Sequence, residues 1–436
     1  MIALVLLLSV VGLRLRLRKF SGILLIMKKY IEVDVARAMI LGDSDKVLPP
    51  EKVDLLASLG RILCQDVVAD RDLPPADNSA MDGYGLRAAD SVAAGTRPLR
   101  LPVVADIPAG KPWPGRIAAG EAVRIMTGAP IPDGVDAVVK RELVEEFADA
   151  IILKKEVATG NDIRRAGEDI KAGEIVLANG TFINPAVVGM LAAVGVPYIS
   201  VMRKPRVAVL ATGDEIVDFG QVPGPGKIRN SNSFSMAALV LQAGGLPQVF
   251  PITRDEPSFI RQALLDAVSG NDLVLTSGGV SMGDYDFIQD VIRDLPESEI
   301  RFWQVKMKPG KPLLYSRVAA TPVIGLPGNP VSTMVSFEQF VRPLMKKMAG
   351  FPEAELLLSR EMALVLEDLP APGDRRHYAR GIARRDSNGQ LTVQSTGLQG
   401  SGMLNSMVKG NCLILQEPAA TGARSGDKVE IEWLGY

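Results

Sequence analysis

Apolar positions change their spacing along the chain, and those changes divide it. In residues 28–72 they recur at helical intervals. "MKKYIEVDVARAMI" reads as the start of an amphipathic helix, and "KVDLLASLGRILCQDVVA" carries Val53, Leu56 and Leu59 on one face before turning extended, so helix, loop, helix is expected. Over residues 73–163 short apolar runs alternate with Pro/Gly clusters such as "DIPAGKPWPG", the pattern of a small β-rich unit. Residues 164–202 return to short strands and one helix, "NPAVVGMLAAVGV", with Asn184 placed to cap it and Pro185 in its first turn. The economical description is a β-rich insertion within a more helical, elongated segment.

From residue 203 the texture becomes alternating. "RVAVLATGDE" reads as a strand ending in a turn and "SNSFSMAALVLQAGG" as a helix ending at glycine. "PQVFPITRDEPSFIRQALLDAVSG" reads as a strand, then a helix opened by Asp255 and Pro257; "DLVLTSGG" is again a strand. In "TPVIGLPGNPVSTMVSFEQFVRPLMKKM" a buried strand and a Gly/Pro loop precede a helix turning Met334, Phe337, Val341, Leu344 and Met348 inward. Continuous apolar strands alternating with helices imply a mostly parallel sheet covered on both faces, with ligands bound beyond the carboxyl ends of its strands. After about residue 350, short strands and turns end in "GDKVEIEWL", predicting a small β-barrel or sandwich. The expected fold class is therefore multidomain α/β plus β. The parts are 1–26 outside the fold, an elongated domain of 27–72 and 164–202, an inserted β-rich domain of 73–163, a central α/β domain of 203–348, and a β-barrel-like domain of 349–436.

Composition narrows the chemistry. At 436 residues the chain is too long for one core. Forty-nine Lys+Arg balance 50 Asp+Glu, and aromatics are 5%, which offers a nucleic acid neither a basic face nor stacking platforms. Cys64 and Cys412 are the only cysteines and His377 the only histidine, so no zinc or iron–sulfur set can be assembled. A metal here would need oxygen ligands, which points to a hard cation such as Mg2+. Two distant cysteines give no disulfide framework, so a cytoplasmic location is expected. The first residues, "MIALVLLLSVVGLRLRLRKF", form an apolar run too short for a comfortable span, with Arg14, Arg16, Arg18 and Lys19 after it rather than before it. A basic-flanked membrane anchor is the alternative. A start at Met27 is preferred, and membrane contact is not expected.

The suggestive side chains of the α/β part fall at strand ends. "TSGGVSMGDYD" offers backbone N–H groups from Ser277 through Val280, with Gly278 and Gly279 permitting close approach of an anion. A Gly-Gly turn alone is more often structural. Asp284 and Asp286 shift that balance, because carboxylates beside a phosphate need a cation between them. "TGDE" adds Asp214 and Glu215, Asp214 being equally suited to a cap or turn. "KMKPGKP" sets Lys308 and Lys311 around a rigid turn, suited to an anion or simply to solvent. "GLPGNP" supplies Pro327, Gly328 and Asn329, the last able to cap a helix. In the inserted domain "LPPADNSAMDGYGLRAAD" and "RIMTGAPIP" place Asp82 and Thr127 in shaped loops whose chemistry is not legible alone. Taken together, the strand-end loops describe a site for a phosphorylated ligand with magnesium. No Ser-His-Asp or Cys-His nucleophile can be built, since His377 lies in another segment.

The motifs "DNSAMDGYG", "RIMTGAP", "NDIRRAGEDI", "TGDE", "SGGVSMGDYD", "KPGKP" and "GLPGNPVS" occur in that order. Over residues 28–436 the chain thereby resembles the molybdopterin molybdenumtransferases, the MoeA family that includes the E domain of gephyrin. The resemblance implies four domains, a molybdopterin-binding third domain and an elongated homodimer. It implies a reaction in which molybdate enters adenylylated molybdopterin and AMP leaves with Mg2+ present. At matching positions it implies Glu215 and Asp286 beside the diphosphate and metal, Asp255 as a functional acid, and Lys308 in the anion site. Asp82 and Thr127 would face the partner subunit's third domain. Ser277, Gly278, Gly279, Ser281, Asp284, Lys311, Pro327, Gly328 and Asn329 would bind substrate, and Arg380 in "RHYARG" and Ser401 in "QGSGM" would reach the anionic pocket. Gln304 stands where some relatives carry lysine, which weakens a two-lysine molybdate clamp. A molybdopterin adenylyltransferase and molybdoenzyme recipients are the implied protein partners. Two alternatives fit the sequence less well. An adenylyltransferase would not need "DNSAMDGYG", and a non-catalytic scaffold would be free to lose acids that this chain retains.

Overall fold

A computed structural model describes residues 28–43, 47–279 and 287–435. The leader, Ser281, Asp284 and Asp286 lie outside the described residues. The chain forms two compact units, one of residues 1–49 with 202–436 and one of Pro50–Val201.

The first unit is built on a seven-stranded sheet. Its spatial order is Lys28–Ile31, Ser298–Val305, Leu314–Val318, Thr321–Leu326, Leu273–Ser277, Arg206–Ala211 and Leu246–Val249. The last four strands run parallel to one another, and Leu314–Val318 is antiparallel to both its neighbours. Side chains alternate across this sheet, as the strand period of two requires. Val207, Val209, Leu273, Leu275 and Ile324 pack one face with Met236, Leu239, Phe337 and Leu344. Ala208, Leu210, Val274 and Val323 pack the other with Ile260, Leu264, Ile288 and Ile292. Burial on both faces explains why the strands read as unbroken apolar runs. The helix Pro330–Ser336 passes through a π-turn, Phe337–Val341, into Arg342–Met348. Pro343 has no N–H for the Gln339 carbonyl, and the buried Arg37 Nε donates to that carbonyl instead at 3.1 Å.

In the same unit Arg376–Arg385, Leu391–Ser395, Arg360–Val365, Lys428–Trp433 and Cys412–Gln416 close into a five-stranded barrel. The short strand Met307–Lys308 extends it, setting Lys308 beside His377 in parallel register. The expected β-barrel-like carboxyl region and mostly parallel central sheet are both present.

The second unit holds a six-stranded sheet ordered Ala137–Lys140, Gly83–Leu86, Ala122–Ile125, Leu99–Ile107, Ala150–Leu153 and Val144–Glu146. Its helix Pro185–Ala193 starts as expected, with the Val187 N–H donating to Asn184 Oδ1 at 3.0 Å.

Three local expectations are corrected. Residues 28–31 are a strand, and the helix begins only at Val33, because the edge of the sheet offers the Ser298–Val305 strand as a backbone partner. "KVDLLASLGRILC" is not a helix: Pro50–Asp54 is a strand and Leu56–Ser58 a single 3-10 turn, with Leu56 77% exposed. The N–H groups of Gly60, Leu63 and Cys64 go to the carbonyls of Ile183, Thr181 and Ser200, so partners distant in sequence replace helical ones. Asp255 does not open its helix. The cap position is Glu256, with Pro257 the first helical residue. Among the described residues no helix is long and apolar enough to cross a membrane.

Candidate functional site

Three loops meet beyond the carboxyl ends of the parallel strands and enclose a cleft of about 110 Å³. After Arg206–Ala211 come Thr212 and Gly213, followed by Asp214 and Glu215. Gly213 has φ 146°, and a Cβ there would lie 2.5 Å from a Glu215 carboxylate oxygen, so only glycine lets that carboxylate fold back into the turn. After Leu273–Ser277 come Gly278 at φ 89° and Gly279 at φ 67°. A Cβ on Gly278 would sit 2.9 Å from the Thr212 carbonyl, which fixes the spacing of the two loops. The third loop, Pro327–Asn329, precedes the helix Pro330–Ser336. Asn329 occupies the cap position, yet its side chain makes no capping bond; Thr333 closes the turn by donating to the Pro327 carbonyl at 2.5 Å.

Asn232, not singled out in the sequence, joins these loops. Its Nδ2 donates to Ser277 Oγ at 2.7 Å and to the Gly328 carbonyl at 2.7 Å. Its Oδ1 and Thr212 Oγ1 at the cleft, and Thr276 Oγ1 next to Ser277, are buried with no partner among the described residues. Such groups are uncommon in folded proteins, and a cleft edge carrying several of them is ready for a polar ligand. Asp214 and Asp255 exchange backbone-to-carboxylate bonds at 3.3 and 3.4 Å, bringing "TGDE" and the 253–256 turn together. Lys227 Nζ caps the Asp214 carbonyl. No group of three His, Cys, Asp or Glu side chains placed to hold a metal occurs among the described residues. A lone Glu215 carboxylate at the cleft still fits Mg2+, which is usually held by one or two carboxylates with substrate phosphates supplying other oxygens.

A second group of residues gathers where the barrel meets the lysine turn. Arg380 is fully buried. Its Nε donates to Ser406 Oγ at 3.1 Å and its Nη2 to the Gly400 carbonyl at 3.2 Å, while Nη1 has no partner among the described residues. Among the described residues no carboxylate pairs with it, and burial pulls its pKa down to about 10. The next residue, Ser401, accepts from the Val331 N–H at 3.1 Å, so the Gly400–Ser401 segment reaches the start of the helix after "GLPGN". Lys308 lies beside His377 in the register described above. That histidine is remote in sequence yet not in space, which corrects the reading that set it apart. His377 Nδ1 contacts Gln416 Oε1 at 3.1 Å, and Gln416 Nε2 donates to the Pro370 carbonyl, so Nδ1 carries the proton. Nε2 is buried and has no partner among the described residues. Burial first, and the Lys308 charge second, hold its pKa at about 4, which keeps it neutral at physiological pH.

In the second unit Asp82 Oδ1 accepts from both the Thr127 N–H and its hydroxyl, each at 2.7 Å. These two bonds hold the Asp82 carboxyl below the usual carboxylate range. "DNSAMDGYG" and "NDIRRAGEDI" are fastened together: Asn78 and Ser79 pair with Arg164 and Ile163, and Asp77 accepts from Arg165 Nη1 at 2.5 Å and the Ala166 N–H at 2.8 Å. Asp77 therefore closes its loop, while Asp82 keeps a carboxylate oxygen exposed.

Family models match the chain in the same segments. One described as the MoeA N-terminal region, domains I and II, covers residues 31–195; a probable molybdopterin binding domain covers 208–347; and the MoeA C-terminal region, domain IV, covers 363–434. A molybdopterin molybdenumtransferase of Haemophilus influenzae is 35% identical over 410 residues, spanning 92% of this chain and 98% of the relative. The chain belongs to the MoeA family of molybdopterin molybdenumtransferases. A second family member, molybdopterin molybdenumtransferase 2 of Mycobacterium tuberculosis, is 37% identical over 381 residues, 86% of this chain and 93% of that one. Among solved MoeA structures, the molybdopterin biosynthesis moeA protein of Pyrococcus horikoshii superposes with a TM-score of 0.78 at 30% identity, covering 93% of this chain and all of that one.

Proposed function

We propose that this chain inserts molybdate into adenylylated molybdopterin in molybdenum cofactor biosynthesis and releases AMP. The observation that carries the reading is the buried Arg380, a guanidinium with no paired carboxylate among the described residues, next to the segment that touches the "GLPGN" helix. A charge buried without a counter-ion is costly, and an oxyanion with two negative charges is the complement it lacks. Lys308 and Lys311 add the remaining positive charge, and Ser401 lies between this pocket and the cleft. The cleft would take the diphosphate, on the backbone N–H groups of Ser277, Gly278 and Gly279 and against Gly328 and Asn329. Asn232 orients both loops at once.

Glu215 would hold Mg2+, with Asp286 as its companion; when bound, the ion neutralises the diphosphate oxygens and the departing AMP phosphate. Asp255 fixes the Glu215 turn through Asp214. Bringing dithiolene and oxyanion together in fixed orientation is the protein's main contribution, with electrostatics second. Asp82 and Thr127 would complete the site of a partner copy in a homodimer. Docking to a molybdopterin adenylyltransferase and to molybdoenzyme recipients, in the cytoplasm, belongs to the same reading. AMP release from adenylylated molybdopterin by the purified chain, with Mg2+ and with or without molybdate, tests it. Molybdate-dependent release, lost in Asp286→Ala, is expected; no release by a folded chain that binds the substrate overturns the transferase reading in favour of a scaffold.

A further inference from the structure

The lysine turn is held from the amino-terminal side by one aromatic ring. Tyr30 sits in the edge strand Lys28–Ile31 at φ 56°, a left-handed conformation that bulky side chains rarely adopt and that persists only where surroundings over-determine it. Those surroundings are specific. Lys306 Nζ lies 5.6 Å and Lys311 Nζ 5.4 Å from the ring centroid, both within reach of its negative face. The Tyr30 hydroxyl donates to Asp374 Oδ2 at 2.7 Å, which ties the ring to the turn before the Arg376–Arg385 strand. Backbone bonds complete the frame: the Lys306 N–H donates to the Ile31 carbonyl at 2.8 Å and the Arg376 N–H to the Lys306 carbonyl at 3.1 Å.

The two lysines differ in one respect. Lys306 is neutralised by Glu32 at 2.6 Å. Lys311 has no carboxylate within ion-pairing distance among the described residues, and its ammonium lies by the Tyr30 ring. Its charge stays uncompensated while its direction is fixed.

We infer that Tyr30 is a positioning residue of the oxyanion site, its ring stationing the Lys311 ammonium beside the Lys308–Gly310 turn before the oxyanion arrives. Lysine is among the side chains that lose most rotamer freedom on ordering, so an ammonium already held on a ring raises oxyanion affinity without touching the anion. This inference rests on the oxyanion reading above. Tyr30 contributes through Lys311, so its effect must vanish when that lysine is absent.

The experiment is equilibrium dialysis of molybdate alone against the full chain, paired with steady-state assays. Tyr30→Leu is expected to weaken molybdate binding about two- to fivefold, the range of an exposed cation–π contact. KM for molybdate should rise by the same factor with kcat retained. Tyr30→Phe and Tyr30→Trp keep a ring face and should bind within about twofold of wild type. In a Lys311→Met background, Tyr30→Leu should change nothing further. Unchanged binding in Tyr30→Leu overturns the inference, as does an equal loss in the Lys311→Met background, which would mean that Tyr30 acts through the fold. If wild type binds no molybdate and Lys311→Met alters no kinetic constant, the oxyanion reading itself fails and takes the inference with it.

Discussion

Replacing Arg380 by methionine separates a ligand-binding charge from a structural one. An arginine in a buried ion pair is expensive to truncate, because its carboxylate is left alone; the usual loss is about 3–5 kcal/mol. Arg380 has no such carboxylate among the described residues, and its burial is already unfavourable. The fall of its pKa from 12.5 to about 10 corresponds to at most about 3.4 kcal/mol at 1.36 kcal/mol per pH unit. Against this relief stand two lost hydrogen bonds from a charged donor, to Ser406 Oγ and the Gly400 carbonyl, worth about 1.5 kcal/mol each at the low end for such bonds. Both acceptors lose a donor, yet Ser406 Oγ keeps its own bond to the Met403 carbonyl at 2.8 Å and the Gly400 carbonyl still accepts from the Met403 N–H at 3.2 Å, so neither is left without a partner. The terms nearly cancel, and Arg380→Met should unfold in urea within about 1 kcal/mol of wild type. Molybdate at 100 times its Kd should stabilise wild type by about 2.7 kcal/mol and the variant by much less. A variant destabilised by 3 kcal/mol or more, yet still stabilised by molybdate, would refute the reasoning, since Arg380 would then be a structural charge with a hidden partner.

Three further outcomes are expected. Glu215→Gln should raise the Mg2+ concentration needed for AMP release about tenfold, and chelation by EDTA should stop release in wild type until Mg2+ is restored. Gly278→Ala should cost about 1–3 kcal/mol in urea unfolding and exceed Gly397→Ala, because Gly397 shares the positive φ but has open space where a Cβ would go. His377 is held neutral, with its pKa near 4 in the fold against about 6.5 unfolded, so the unfolded chain binds the extra proton between those values. Stability should therefore fall as pH drops from 6.5 towards 4, by up to about 2 kcal/mol at pH 5, and His377→Gln should flatten that slope in urea titrations.

What the sequence conveyed, and what it did not, follows from how local each signal is. The α/β sheet was legible because strands buried on both faces must be apolar at every position, as in Leu273–Ser277. Asn184 and Pro185 were legible because a helix cap is decided within four residues. Residues 50–60 misled because Val53, Leu56 and Leu59 happen to fall at helical spacing, while the backbone partners that override it lie at residues 181–183 and 200. The strand-end glycines were visible, but the reason for Gly213, a carboxylate folded against it, needed coordinates. Asn232 went unnoticed because an asparagine at a helix start has an ordinary local explanation, and nothing nearby shows that it reaches two loops at once. His377 was set aside on sequence distance, which the Lys308–His377 register cancels.

The unsatisfied groups of this unit carry the last step. A folded chain leaves few buried polar atoms without partners, and those it leaves tend to mark places where function overrode packing. Here Thr212 and Asn232 line the strand-end cleft and Thr276 adjoins Ser277 of its lining, while Arg380 and His377 stand by the lysine turn; Tyr315, Ser336 and Tyr378 also leave a polar atom without a partner among the described residues. The first three offer hydroxyls and an amide oxygen, suited to the neutral polar edges of a ligand. Arg380 offers a full charge, suited only to an anion. His377 offers a lone pair, which would repel an anion but welcome a lysine ammonium. Its proximity to Lys308 therefore has a direction: a neutral imidazole tolerates the lysine charge, whereas an imidazolium would compete with it. A pKa near 4 keeps the histidine in the tolerant form throughout the physiological range, so the positive charge of this cluster remains that of Arg380 and the lysines.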